Sequence, residues 1–223
     1  EQRGHLDEYS FNLAFNINDR VYLGLTLGGH DLNFKKYTYY EETYPDTNNE
    51  GYDLSSWNRI VGTGVDFKLG AIFRPVEESP FRFGVFVHTP TWYRLTDANG
   101  ADLYLNDEFV SRGNNAEYDY HFRTPWKFGV SLGHTVGKNF AIGAEYEFQD
   151  MGTAKYSEVD GYNSSYFRNM NNITKETLRG QHTLKVGAEY KPVDAFSIRL
   201  GYNYVSSPFK KDAFRTIPIE DIG

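Results

Sequence analysis

The sequence contains no cysteine. That absence removes disulfide frameworks, thiolate metal clusters and thiol nucleophiles together. Methionine is scarce, at 2 of 223 residues. No apolar run reaches about 18 residues, so no segment qualifies as a transmembrane helix. Basic residues are the minority, 23 Lys and Arg against 30 Asp and Glu, giving a formal charge of −7 and a pI near 5.4. A chain of that sign is not built to grip nucleic acid, whose phosphates require a basic face. The signatures of common enzymes are missing too. The 6 histidines lack metal-ligand spacing, and there is neither a nucleophile elbow nor a glycine loop for phosphate. Nothing in the sequence calls for a cofactor or a resident metal.

Aromatics and glycine are abundant: 18 Tyr, 17 Phe and 21 Gly. Mean hydropathy is nevertheless polar, at −0.61. The hydrophobic period is two almost everywhere, which reads as strand. In the segment 140–148, Phe140, Ile142, Ala144, Tyr146 and Phe148 share one face, while Ala141, Gly143, Glu145 and Glu147 share the other. The same alternation recurs over 184–190 and 196–204. No stretch sustains a helical period with caps. The chain is therefore all-β, with strands expected at about 9–18, 20–40, 57–74, 81–95, 116–136, 140–156, 176–191 and 196–208.

A water-soluble sandwich also alternates, so two further features favour an antiparallel transmembrane barrel. One strand face is bulky and apolar throughout, while the other is glycine, charge and amide, as when lipid lies outside and ion pairs lie within. The connections also alternate between tight turns, at Asn18-Asp19, 75–80, 137–139 and 192–195, and long polar stretches at 43–56, 96–117 and 157–176. Outer-membrane barrels separate their two ends in this manner. Tyr37, Tyr39, Tyr40, Trp92, Tyr93, Tyr118 and Tyr120 flank the long loops; Phe15, Phe73, Phe81, Phe140 and Phe196 flank the turns. Two aromatic girdles at the headgroup levels are the expectation. Four short turns against three long loops would leave both termini outside. The whole chain, 1–223, is thus expected to be the partial wall of a larger barrel, without its closing strands or any N-terminal hatch.

Several segments resemble the FadL-type outer-membrane transporters of long-chain fatty acids and other hydrophobic compounds. They are Gly-Val-Asp-Phe-Lys-Leu-Gly-Ala-Ile-Phe-Arg-Pro (64–75), Phe-Arg-Phe-Gly-Val-Phe-Val-His-Thr-Pro (81–90), Arg-Thr-Pro-Trp-Lys-Phe-Gly-Val-Ser-Leu-Gly (123–133), Leu-Lys-Val-Gly-Ala-Glu-Tyr-Lys-Pro (184–192) and Ile-Arg-Leu-Gly-Tyr-Asn-Tyr (198–204). The resemblance implies a fourteen-stranded barrel in the outer membrane of a Gram-negative bacterium, closed by an N-terminal hatch. Ligand would enter from outside and leave sideways into the bilayer. Its partners would be outer-membrane lipids and a hydrophobic small molecule. The Asn-Pro-Ala hatch segment of that family is not in this sequence.

By the expected registers the inner face carries Asp66, Asp119, Glu145, Glu147 and Glu189 with Lys68, Arg82, Arg94, Arg123, Lys127, Lys185, Arg199, His88 and His121. These groups either pair across strands, since unpaired charge in a confined space is costly, or supply Arg82, His88, Arg94, His121, Arg123 and Arg199 to an anionic head group. Ile72 and Phe86 place apolar groups on the same inner face, where a greasy tail or a plug would touch them. Pro90 and Pro125 fall inside strands, where a ladder donor is lost. Each marks either a bulge that redirects a loop or a gap through which ligand leaves laterally. Around Asn106-Asp107 the segment 101–112 reads as a surface hairpin whose Leu103, Leu105, Phe109 and Val110 form a capture groove or pack against other loops. Asp46–Gly51 has the acidic spacing of a calcium loop without its bidentate glutamate. Asn163 and Asn172 start glycosylation sequons of little meaning in a bacterial barrel. Two rival functions remain at this stage: a structural or adhesive barrel whose loops bind a partner, and a lipid-modifying barrel enzyme.

Overall fold

The computed structural model describes residues 1–44, 51–106, 108–113, 115–160 and 164–213. The strands are β1 (Gln2–Ile17), β2 (Val21–Thr43), β3 (Gly51–Phe73), β4 (Arg82–His88), β5 (Trp92–Leu105), β6 (Glu108–Arg112), β7 (Ala116–Arg123), β8 (Lys127–Val136), β9 (Phe140–Asp150), β10 (Lys155–Glu158), β11 (Gly180–Val193) and β12 (Phe196–Val205). A 3₁₀ turn spans Met151–Thr153, and one helix, α1, spans Ser165–Thr177. All 12 strands belong to one antiparallel sheet. It runs as a meander: β1, β2, β3, then β4 continued by β5, β7 continued by β8, β9 continued by β10, then β11 and β12. Among the described residues β1 and β12 do not pair with each other, so the sheet remains open.

The eight expected passes are all present, but three are broken in two. Residues 81–95, 116–136 and 140–156 were each expected as one strand. Pro90, Pro125 and the 3₁₀ turn after Asp150 interrupt them. The expected polar loop 157–176 also contains α1. Its start is fixed by Ser164, whose hydroxyl accepts from the Phe167 amide at 3.4 Å. The Asn163 sequon and the segment 46–50 lie outside the described residues, as does Asp107 of the hairpin turn; Asn172 lies on α1.

The tight turns lie together at one end of the sheet. Asn18 and Asp19 both adopt the left-handed conformation (φ 53° and 54°), as a mirror-image two-residue turn requires to match strand twist. Gly137 does the same at φ 58°. At the other end β2 and β3 run 23 residues each. At ~3.4 Å per residue that is about 80 Å, roughly twice what a tilted membrane crossing needs.

Only Tyr93, Leu95 and Phe167 are buried hydrophobic side chains among the described residues. In contrast, Leu200 is 74% exposed and Tyr9 71%. Total accessible surface is 16019 Å², against about 10,400 Å² expected for a folded soluble monomer of this mass. The sheet is a single layer, with no second layer against its apolar face. An apolar face this extensive demands an apolar neighbour. No helix of the described residues is long and apolar enough to cross a membrane.

Candidate functional site at the break in the sheet

Below the break the alternation is regular. Ile17, Phe15, Leu13 and Phe11 align with Val21, Leu23, Leu25 and Leu27, and these with Phe73, Ala71, Leu69 and Phe67. This is the outer face. On the inner face, ion pairs join neighbouring strands, Lys185 to Glu145 (2.9 Å) and Glu147 (2.6 Å), Lys127 to Glu147 (3.8 Å), and Arg199 to Glu189, while Lys68 on β3 reaches across β2 to Glu8 on β1. The expectation that inner charges pair is met for these residues. Arg82 and His88 also face inward, and Arg82 has no ion pair among the described residues.

The break begins where β3 meets β4 and β5. Lys68 pairs with His88, and pairing resumes at Val65 with Trp92. Two residues of β3, Asp66 and Phe67, thus face three, Thr89, Pro90 and Thr91, which is a bulge. Neither Pro90 nor Pro125 has an amide proton to donate. Threonine hydroxyls instead act as acceptors for amides beside the break. The Thr89 hydroxyl accepts from the Phe67 amide at 3.0 Å, and the Thr124 hydroxyl accepts from the Thr91 amide at 2.8 Å. The interruption 124–126 lies opposite 89–91, between the pairs His88–Lys127 and Trp92–Arg123. A third interruption follows on the next pass, because Lys127 pairs with Gln149 but Arg123 with Lys155. Three adjacent passes are therefore broken at one level. Pro90 is fully buried there and Pro125 buried.

The bulge has a second effect. One extra residue reverses which side chains face which way. Trp92 shares the outer face with Val65, so Tyr93 and Leu95 turn inward and Arg94 turns outward. Its partner strand follows: Arg123 lies opposite Trp92 and His121 opposite Arg94, while Phe122 lies opposite Tyr93. Arg94, His121, Arg123 and Asp119, expected inside, are thus on the outer face. The girdle expectation changes likewise. Tyr93, Tyr118 and Tyr120 point inward, while Phe15, Phe73, Phe140 and Phe196 remain exposed near the turns.

Inside, at the level of the bulge, lies a polar group that the sequence reading missed. His30 Nε2 is 2.8 Å from Asp66 Oδ2, and the Thr91 hydroxyl donates to the same oxygen at 3.2 Å. Both side chains are buried, 8% and 7% exposed. The Tyr93 ring lies 5.7 Å from His30. Glycine makes the room: a Cβ on Gly28 would sit 2.5 Å from the Asp66 carboxylate. The Gly28-Gly29-His30 run was the available signal. Just below, Phe86 covers Gly129 and lies 5.1 Å from His88, with Ile72 further along the same inner face. On the outer side at the break, Trp126, Phe128, Phe148 and Arg123 line a concavity of about 600 Å³.

Above the break the inward aromatics receive α1. Phe167, 2% exposed, packs on Tyr118, Tyr120 and Tyr156 at 5.7, 6.1 and 6.3 Å. The hairpin expectation holds, with β5 turning at Asn106 (φ 51°) into β6. Leu105, Phe109 and Val110 are exposed at its tip, while Leu103 is half-buried opposite Leu54. Among the described residues, His5, Asp7 and Asp31, all exposed on β1 and β2, are the one set of side chains placed to share a cation.

No family model and no curated protein matches this sequence. Solved structures do. A FadL homologue from Pseudomonas aeruginosa superposes with a TM-score of 0.64 at 15% identity, covering 94% of this chain and 51% of that one. The Ralstonia pickettii toluene transporter TbuX gives 0.57 at 14%, covering 93% and 57%. The Pseudomonas putida toluene transporter TodX gives 0.57 at 11%, covering 92% and 56%. The chain spans little more than half the length of each. Its fold is the antiparallel barrel wall of the FadL-type transporters.

Proposed function

We propose that this chain forms part of an outer-membrane β-barrel of a Gram-negative bacterium and passively admits hydrophobic small molecules, long-chain fatty acids among them. One observation carries the reading: three adjacent passes are interrupted at one level, with apolar side chains on both sides of the interruption. Ile72 and Phe86 offer a greasy inner surface, and Trp126, Phe128 and Phe148 a greasy outer one. Between them, Pro90 and Pro125 each remove one ladder donor, so the wall at this level is held by fewer bonds, those of Thr89, Thr91 and Thr124 among them. A hydrophobic ligand crossing there leaves Phe86 and Tyr93, passes the buried His30–Asp66–Thr91 group, and reaches Trp126, Phe128 and Phe148 outside. Arg82 and His88 are the inner groups placed to attract an anionic head, whereas Arg199 is already held by Glu189. Leu105, Phe109 and Val110 form an exposed apolar tip on which ligand is first captured. The toluene transporters of the same fold support uptake of hydrophobic compounds as a class and support a non-enzymatic role.

The test uses the absence of native cysteine. Thr91 and Thr124 face each other across the break, so Thr91→Cys with Thr124→Cys makes a staple that no other thiol of these 223 residues can intercept. Uptake of a fluorescent fatty acid into outer-membrane vesicles should fall about tenfold on oxidation and recover on reduction. Unchanged uptake in the oxidised, stapled protein would remove the lateral passage.

A further inference from the structure

The reversal of faces above the bulge leaves a cationic group where the apolar band ends. Arg123 on β7 lies directly opposite Lys155 on β10, and His121 lies directly opposite Arg94 on β5. Side chains so paired stand about 5 Å apart at their Cβ atoms, and like charges in that relation repel. All lie on the same face as Trp92 and Val65, where the continuous apolar run of the outer band gives way to mixed residues, Thr63, Val61 and Arg59 on β3 and Arg94 and Thr96 on β5. On the inner face below the break, Lys68, Lys127, Lys185 and Arg199 are each paired with a glutamate. Here the one acidic contact among the described residues is Asp119, 3.9 Å from Arg94, whose side chain is 65% exposed. Arg123 and Lys155 have no ion pair among the described residues. Together these side chains line a concavity of about 450 Å³.

Three fixed cations aimed toward the lipid side need an anion from the membrane itself. The height is right, because charged residues first interrupt the outer apolar run just above Trp92, and an aromatic residue at such a boundary marks the headgroup level. Basic clusters at that level bind phosphorylated lipid. We propose that Arg94, Arg123 and Lys155 bind the phosphate of an outer-leaflet glycolipid, with His121 and Trp92 bordering the site. Arginine supplies a fork that grips phosphate oxygens in pairs, and lysine a point charge beside it. Bound phosphate relieves the repulsion between Arg123 and Lys155, and so ties β7 to β10 beside the break. The inference rests on the membrane placement proposed above, but not on what the barrel carries.

The experiment reconstitutes the protein in nanodiscs containing equal amounts of bisphosphorylated lipid A and its dephosphorylated form. Lipid retained after detergent extraction is then quantified by mass spectrometry. The wild-type protein should retain the phosphorylated form preferentially. That preference should fall about fivefold for Arg123→Gln, and on the order of a hundredfold for the triple variant Arg94→Gln, Arg123→Gln, Lys155→Gln. Heat-modifiable gel mobility reports folding. If the triple variant does not fold, Arg123→Gln alone decides. Undiminished preference in a folded variant would overturn the site while leaving the membrane placement intact. Displacement of the lipid by millimolar inorganic phosphate would also overturn it, showing a site for soluble anions. A wild-type protein that fails to enter nanodiscs would sink the membrane placement and this inference with it.

Discussion

The two halves of the sheet, below and above Pro90 and Pro125, are built from the same residue types and solve opposite problems. Below, bulky side chains face outward and charges face inward, where Lys185, Glu145 and Glu147 neutralise one another. Above, Tyr93, Leu95, Tyr120 and Phe122 face inward and Arg94, Arg123 and Lys155 face outward. Nothing in the local alternation changes; only the phase does. An odd number of inserted residues relative to β3 is enough, one on the first two affected passes and three on the third, because a strand's side chains have period two. The lower half suits a wall between hydrocarbon and an interior. The upper half suits a rim, with a greasy interior for α1 and a charged exterior at the headgroups.

The largest expected effect comes from erasing that phase change. Deleting Pro90 leaves two residues of β4 and β5 facing two of β3, so the upper half of that pass turns over. Tyr93 and Leu95 lose their burial, about 1.5–3 kcal/mol each, and Arg94 enters the space beside His30 and Asp66. The deletion should abolish the heat-modifiable folded band, whereas Pro90→Ala, which preserves the count, should fold. A deletion variant that folds in normal yield would show that the phase is not fixed by the bulge.

Much of the lower half was legible in the sequence. Period-two alternation located every pass, and Asn18-Asp19 with Gly137 located turns, because those signals are local. The faces of Arg94, His121 and Arg123 were not legible. Their assignment depends on counting residues through Pro90 and Pro125, and proline reports a lost donor without reporting how many residues the partner strand places opposite. His30 escaped for a related reason: its partner Asp66 lies on another strand, and only the register brings them together. The helix α1 was hidden because a single buried side chain, Phe167, anchors it, and one apolar residue makes no period.

A moderate effect is expected where the upper half receives that helix. Phe167→Ala removes the ring that three tyrosines surround. Truncations of this kind cost about 3–5 kcal/mol in a well-packed interior, and here the loss falls on one locally unfolding segment rather than on the wall. Limited proteolysis should cut the variant within α1 while the folded barrel persists. Equal protease resistance in variant and wild type would mean that α1 is held by something other than this cluster.

The smallest effect is a titration confined to the same rim, above the band that faces lipid. Burial pushes Tyr120 up to about 12 from 10.0, with the Asp97 carboxylate adding to it. Burial also pushes Tyr118 up to about 12, reinforced by its hydrogen bond to Glu158 at 2.9 Å. A raised phenol favours the neutral folded form, so its contribution is whole below pH 10 and disappears as pH rises toward 12. Phenolate absorbance should therefore show a late-titrating fraction that coincides with loss of α1's protease protection, while the lower half stays folded. In Phe167→Ala the late fraction should move toward pH 10, because the ring that excludes water from both phenols is gone. Late titration that persists unchanged in that variant would separate the tyrosines from the docked helix, and with it the claim that inward aromatics are what the reversed phase provides.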